Sequence, residues 1–135
     1  VGCAPSYAYH FDTTASSPVA APAPALVTAR AQVGDDDTIR LDLANRSADL
    51  VQVDWTKITI DRGDHTTTRL HPATDLGWIA AGQTASAVLV PFALPRNGDA
   101  AAAYEGRTLV LSIPMTVQRK PARVHVYLVA HVHKL

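Results

Sequence analysis

Apolar and polar residues alternate along most of this chain. Val27, Ala29, Ala31 and Val33 interleave with Thr28, Arg30 and Gln32, the period of two that marks a half-buried strand. A turn over Gly34-Asp35-Asp36-Asp37 leads to Ile39, Leu41 and Leu43, which alternate with Arg40 and Asp42, and Asn45-Arg46-Ser47 turns the chain again. Val51, Val53 and Trp55 keep one parity, whereas Ile58 and Ile60 take the other. A one-residue slip near Thr56 and Lys57 is therefore expected, with a β-bulge as its natural device. Residues 61–65 turn the chain into a Thr-rich edge strand ending near Leu70, and an irregular stretch with Pro72, Gly77 and Gly82 carries Trp78 and Ile79. Thr84 to Phe92 is apolar on both parities, as in a central strand. Asp99 is placed to cap a short helix through Tyr104. Leu109, Leu111, Ile113, Met115 and Val117 form the longest clean alternation, and a basic hairpin at residues 118–122 joins it to Val124, Val126, Leu128, Ala130 and Val132.

Seven strands with a turn every 8 to 12 residues or so predict an all-β fold. The expected form is a seven-stranded antiparallel immunoglobulin-like sandwich, with one short helix before the penultimate strand. Tyr104 is a candidate to tie down that corner. Composition agrees, because eleven Asp stand against a single Glu (Glu105), and nine Pro and seven Gly break the chain often. Asp favours turns and caps, while Glu is a helix former. At 135 residues and 47 % hydrophobic, the chain suits one domain with a real core. Twelve basic side chains balance twelve acidic ones, which argues against nucleic acid as a partner, since phosphates call for a basic excess. A single cysteine, Cys3, excludes an internal disulfide and a Cys-based zinc site.

Residues 1–24 differ from the rest. Asp12 is their one charged side chain, and Pro5, Pro18, Pro22 and Pro24 interrupt them. Residues 13–25 read as an extended, semi-stiff tether. Tyr7, Tyr9 and Phe11 alternate just ahead of it, as a short strand on the body or as an adhesive patch for another chain. The organisation expected is an arm and tether at 1–24 and a sandwich at 25–135. The opening Val1-Gly2-Cys3 resembles the end of the lipobox of bacterial lipoproteins, in which a small aliphatic residue and Gly or Ala precede a lipidated Cys. The resemblance covers three residues. It implies an acylated Cys3, anchorage to a bacterial envelope membrane and, from Ala4, sorting to the outer membrane with the domain at its periplasmic or surface face. Multiple acyl chains hold firmly where one would be marginal.

Several groups bear on chemistry. Arg123, His125, Tyr127, Val129, His131 and His133 share the outward parity of the last strand. His131 and His133, about 6.6 Å apart along it, form a candidate Zn or Cu clamp that needs a carboxylate or another His from a neighbouring strand. Arg62-Gly63-Asp64 spells the tripeptide of integrin-binding loops but reads as turn chemistry. Asp35-Asp36-Asp37 reads as a polar turn, and Arg119, Lys120 and Arg123 as a charged edge that resists sheet-to-sheet association. Trp55 has core parity. Trp78 and the Phe92–Leu94 pair are either core plugs or partner-facing anchors. Neither a nucleophile elbow, a phosphate loop nor a His-Glu-x-x-His motif is present. The expectation is a non-catalytic accessory or structural subunit that docks onto a larger envelope assembly such as a secretion, pilus or outer-membrane complex. Tyr7, Tyr9, Phe11 and Trp78 are its candidate partner-binding residues, and the lipid on Cys3 is the one cofactor. A periplasmic metal-binding protein and an adhesin or carbohydrate-binding module are the alternatives.

Overall fold

The structure, a computed structural model, describes residues 5–18, 27–34, 38–63, 65–73, 77–90 and 92–135, and of residues 14–18 the backbone. Within them the chain forms ten strands and one short helix. These are β1 (Tyr7–Pro18), β2 (Val27–Val33), β3 (Ile39–Asn45), β4 (Val51–Val53), β5 (Thr59–Asp61), β6 (Thr67–Arg69), β7 (His71–Pro72), β8 (Thr84–Val90), α1 (Gly98–Ala102), β9 (Thr108–Val117) and β10 (Lys120–Lys134). All pairings are antiparallel. One sheet runs β1-β10-β9-β5-β6 with β4 also on β9, and the other runs β2-β3-β8-β7. The fold is β-sandwich-like, with the core between the two layers.

Alternation dictates which face is buried. Leu109, Leu111, Ile113, Met115 and Val117 of β9 are all buried, as are Val124, Val126, Leu128 and Ala130 of β10. They meet Ala29, Ala31, Ile39, Leu41, Leu43, Ala87 and Leu89 from the facing sheet in one continuous cluster. Fully burying each large aliphatic side chain stabilises by about 1.5–3 kcal/mol, so this cluster is the main holding force.

Ten strands replace the expected seven. The segment read as one strand with a slip is two, since β4 ends at Val53 and β5 begins at Thr59. Val53 pairs with Met115 and Thr59 with Ser112, so five residues of one strand stand opposite two of the other. The chain makes this detour as a turn, with Lys57 N–H bonded to Asp54 O. The parity change is real, but a three-residue excursion produces it. β7 is a two-residue addition to the edge of the second sheet. β8 lies between β3 and β7, yet only its inner face is buried and Val88 is exposed.

The third addition corrects the arm. Tyr7–Pro18 is a strand paired with β10 from Tyr7↔Lys134 to Pro18↔Val124. The residues from 13 to 18 read as tether thus belong to the sheet. Their alternation is weak because Thr, Ala and Ser dominate, but the long β10 supplies a ladder that such a segment can satisfy with its backbone alone. The part of the expected tether at residues 19–25 lies outside the described residues, as does Cys3 with the rest of the lipobox-like tripeptide. Nor does Asp99 cap α1. The N-cap position is Asn97, without a side-chain cap bond, and Asp99 sits in the first turn.

Candidate functional site

β1 lies beside the histidine-bearing strand β10, hydrogen-bonded along its edge. Register pairs His10 with His131, Asp12 with Val129 and Ala8 with His133. Because cross-strand partners share a face, His10 and Asp12 stand on the same outer surface as His131. The His131 Nε2 lies 2.8 Å from Asp12 Oδ2, and His10 Nε2 lies 3.5 Å from Asp12 Oδ1. Their rings stack with centroids 6.3 Å apart. Behind His131, its Nδ1 lies 3.5 Å from Glu105 Oε1. Glu105 follows α1 and is pinned by its other oxygen, which accepts the Val132 N–H at 2.5 Å.

The electrostatics follow from these contacts. The hydrogen bond to Asp12 raises the pKa of His131, and Glu105 adds to the rise against partial desolvation. The Val132 N–H holds Glu105 below the usual carboxylate range, with His131 helping. An imidazole between two carboxylates keeps its proton readily. Once deprotonated, it offers Nε2 as a ligand with Nδ1 already oriented.

Of the two histidines read as a clamp, His131 stands at the centre of this cluster; His133 is exposed, faces Ala8, which has no side-chain donor, and adds only the last of the electrostatic contributions to Glu105. Sequence reasoning missed His10, Asp12 and Glu105. Their signal was present in residues 7–12, where His10 and Asp12 take the parity opposite to Tyr7, Tyr9 and Phe11. It becomes legible only if that stretch is read as a strand on the body.

Tyr9 and Phe11 are turned inward, as in the first of the two readings of that stretch, a strand on the body. Both pack against the core cluster. Tyr9 stacks on Phe11 and meets Tyr104 edge-on, while Phe11 tilts against the buried Phe92. The Tyr9 hydroxyl donates to the Pro95 carbonyl, and burial raises its pKa. Tyr7 is half-buried, and its N–H bonds Arg96 O. Tyr104 is buried beneath the Arg107 guanidinium, 4.3 Å from its ring centroid. Between the edges of β1 and β2 lies a cavity of about 540 Å³ lined by Tyr9, Phe11, Ala31, Val33, Phe92 and Leu94 among others.

Trp55 is buried, and its indole N–H donates to Gly77 O at 3.1 Å. Trp78 is 63 % exposed. Its neighbour Ile79 exchanges two backbone hydrogen bonds with Val51, both 2.9 Å. Val51 and Ile79 point into the core, so Trp78 and the exposed Leu50 project from the opposite face of that bridge. In the Arg62-Gly63-Asp64 loop, Gly63 has φ +76° and an added Cβ would meet Arg107 Cγ at 2.8 Å. Asp64 and the Asp35-Asp36-Asp37 turn lie outside the described residues. Arg119, Lys120 and Arg123 are exposed at the β9–β10 hairpin. No protein-family model, no curated protein and no solved structure matches this chain.

Proposed function

We propose that this chain is a non-catalytic immunoglobulin-like module held to a bacterial envelope membrane by a lipid on Cys3. It serves as an accessory or structural subunit that docks onto a larger envelope assembly at the outer membrane. The immunoglobulin-like class is supported by the strand order, in which β2-β3-β8-β7 faces β1-β10-β9-β5-β6 and the chain crosses between layers after β1, β3, β6 and β8. The anchor rests on the lipobox-like start. The tether is replaced by a close seat. Pro5 O accepts the Gly98 N–H, and the two residues from Cys3 to Pro5 span at most about 7 Å. A lipid on Cys3 would therefore set the sandwich against the headgroups.

The observation that carries the docking role is Trp78, 63 % exposed on a backbone fixed by the Val51–Ile79 bridge. Rigidly mounted Trp side chains are the residues that most often dominate binding energy at interfaces. Trp78→Ala should cut recovery of co-purifying envelope protein from native membranes about ten-fold or more, with an unchanged unfolding midpoint. Equal recovery would remove this docking face. Mass spectrometry of the amino-terminal peptide should show an acylated Cys3; a free thiol would remove the anchor. The same exposed indole suits a sugar-stacking module, a reading that a silent glycan array would dismiss.

A further inference from the structure

We propose that His10, Asp12 and His131 form a Zn2+ site across the pairing of the first and last strands, with Glu105 orienting His131 from behind. This inference is independent of membrane anchoring. It replaces the pair on one strand by a pair across two. Residues directly opposite in an antiparallel pair stand about 4.5–5.5 Å apart at Cβ, closer than the roughly 6.6 Å between alternate residues of one strand. His10 and His131 are such a pair.

Three features point to a metal beyond the bare cluster. Each Nε2 already addresses a different oxygen of the Asp12 carboxylate, at 3.5 Å and 2.8 Å. Zn2+ with two imidazoles and a carboxylate needs contacts of about 2.0–2.2 Å. Among the described residues no group of three such side chains is placed to hold a metal ion as it stands, so His10 and Asp12 must turn inward to bind one. Their side chains are 67 % and 65 % exposed and can do so. Second, Glu105 contacts the far nitrogen of His131, the carboxylate–histidine relation that fixes the tautomer and orientation of zinc-bound imidazoles. Glu105 is in turn held by Val132. Third, two carboxylates flank the site, so a dication is matched in charge. Two nitrogens and a carboxylate suit Zn2+ rather than Ca2+ or Mg2+, which take oxygen ligands. Water fills the fourth position.

Titrating ZnCl2 into the full chain by calorimetry should give one equivalent of binding. His10→Gln and Asp12→Asn should each weaken it about ten-fold or more, and Glu105→Gln by about ten- to a hundred-fold. His133→Gln should leave it unchanged. Absence of stoichiometric heat, or loss of binding in His133→Gln with retention in His10→Gln, would overturn the site. Hydrogen exchange on the unsubstituted protein gives a second arm that needs no variant. Zn2+ should slow exchange in β1 and its partner segment of β10, and protection confined to other strands would equally overturn the proposal.

Discussion

Asn45 is 1 % exposed. Its amide donates to Asp49 O at 2.7 Å and to Ile79 O at 3.0 Å, and its Oδ1 accepts the Ser47 N–H and hydroxyl. Its backbone also bonds Gln83 and Gly82. One side chain therefore ties the β3–β4 turn to the loop before β8. Asn45→Ala should lower stability by about 2–4 kcal/mol, because it strands buried partners as well as losing bonds; urea unfolding measures this. His125 shows the converse. Its Nε2 is buried and has no hydrogen-bond partner among the described residues, and burial, with Arg123 adding to it, holds its pKa below the ordinary value. As pH falls through about 6.5 the unfolded chain takes a proton that the fold refuses, so stability declines with acid until the folded pKa is passed. His131 has a raised pKa and the opposite sign, but it is present in both proteins of a comparison. The stability of His125→Gln relative to the parent should rise steadily as pH is lowered from about 8 to 5; a constant difference in denaturation midpoints would refute it.

Strand by strand, the constraints are set by what each element meets. Pro114 sits inside β9, flanked by strands on both sides, where a missing N–H ought to break a ladder. The Asp54 N–H bonds Pro114 O, so that side of Pro114 faces the detour between β4 and β5. No ladder partner stands there for its nitrogen to lose. The β9–β10 hairpin turns on Gln118 and Arg119 at φ +53° and +62°, the left-handed pair of a two-residue hairpin turn that prefers Asn-Gly. Gln118 is retained by its bond to Asp49. Arg119→Gly should therefore raise stability by about 0.5–1 kcal/mol, read as a higher thermal midpoint. A lower midpoint would show that the arginine makes a contact outweighing its backbone strain. Gly63, by contrast, is fixed by both its φ and its neighbours, so the turn reading of its tripeptide has a steric basis.

Across the whole molecule, the first strand is paired with the last, with more than a hundred residues between them. Truncation of residues 1–18 would uncover β10 and expose Phe92. The shortened chain should unfold at lower urea and self-associate through the freed edge; a monomeric product of parental stability on size-exclusion and unfolding curves would contradict this. That long-range pairing also marks where sequence reading stopped. The inner faces of β2, β3, β9 and β10 were legible because apolar residues alternate there against mostly polar ones, and so was the buried Trp55. β1 was legible only at Tyr7, Tyr9 and Phe11, whose alternation allowed a short strand on the body; beyond them its small residues and closing Pro18 carry little pattern, and that half takes its strand character from β10. The cluster at His131 was hidden for the same reason, as its other donors arrive from β1 and from the turn after α1. Ser6 O accepts the Leu135 N–H, so the start of β1 and the end of β10 meet at one pole. A force drawn between those ends would open the β1–β10 ladder rung by rung, like a zipper. A force between the head of the chain and the distant body would instead pull along the strand axes and strain every rung together. The protein is thus built to yield easily in one direction and to hold firm in the other.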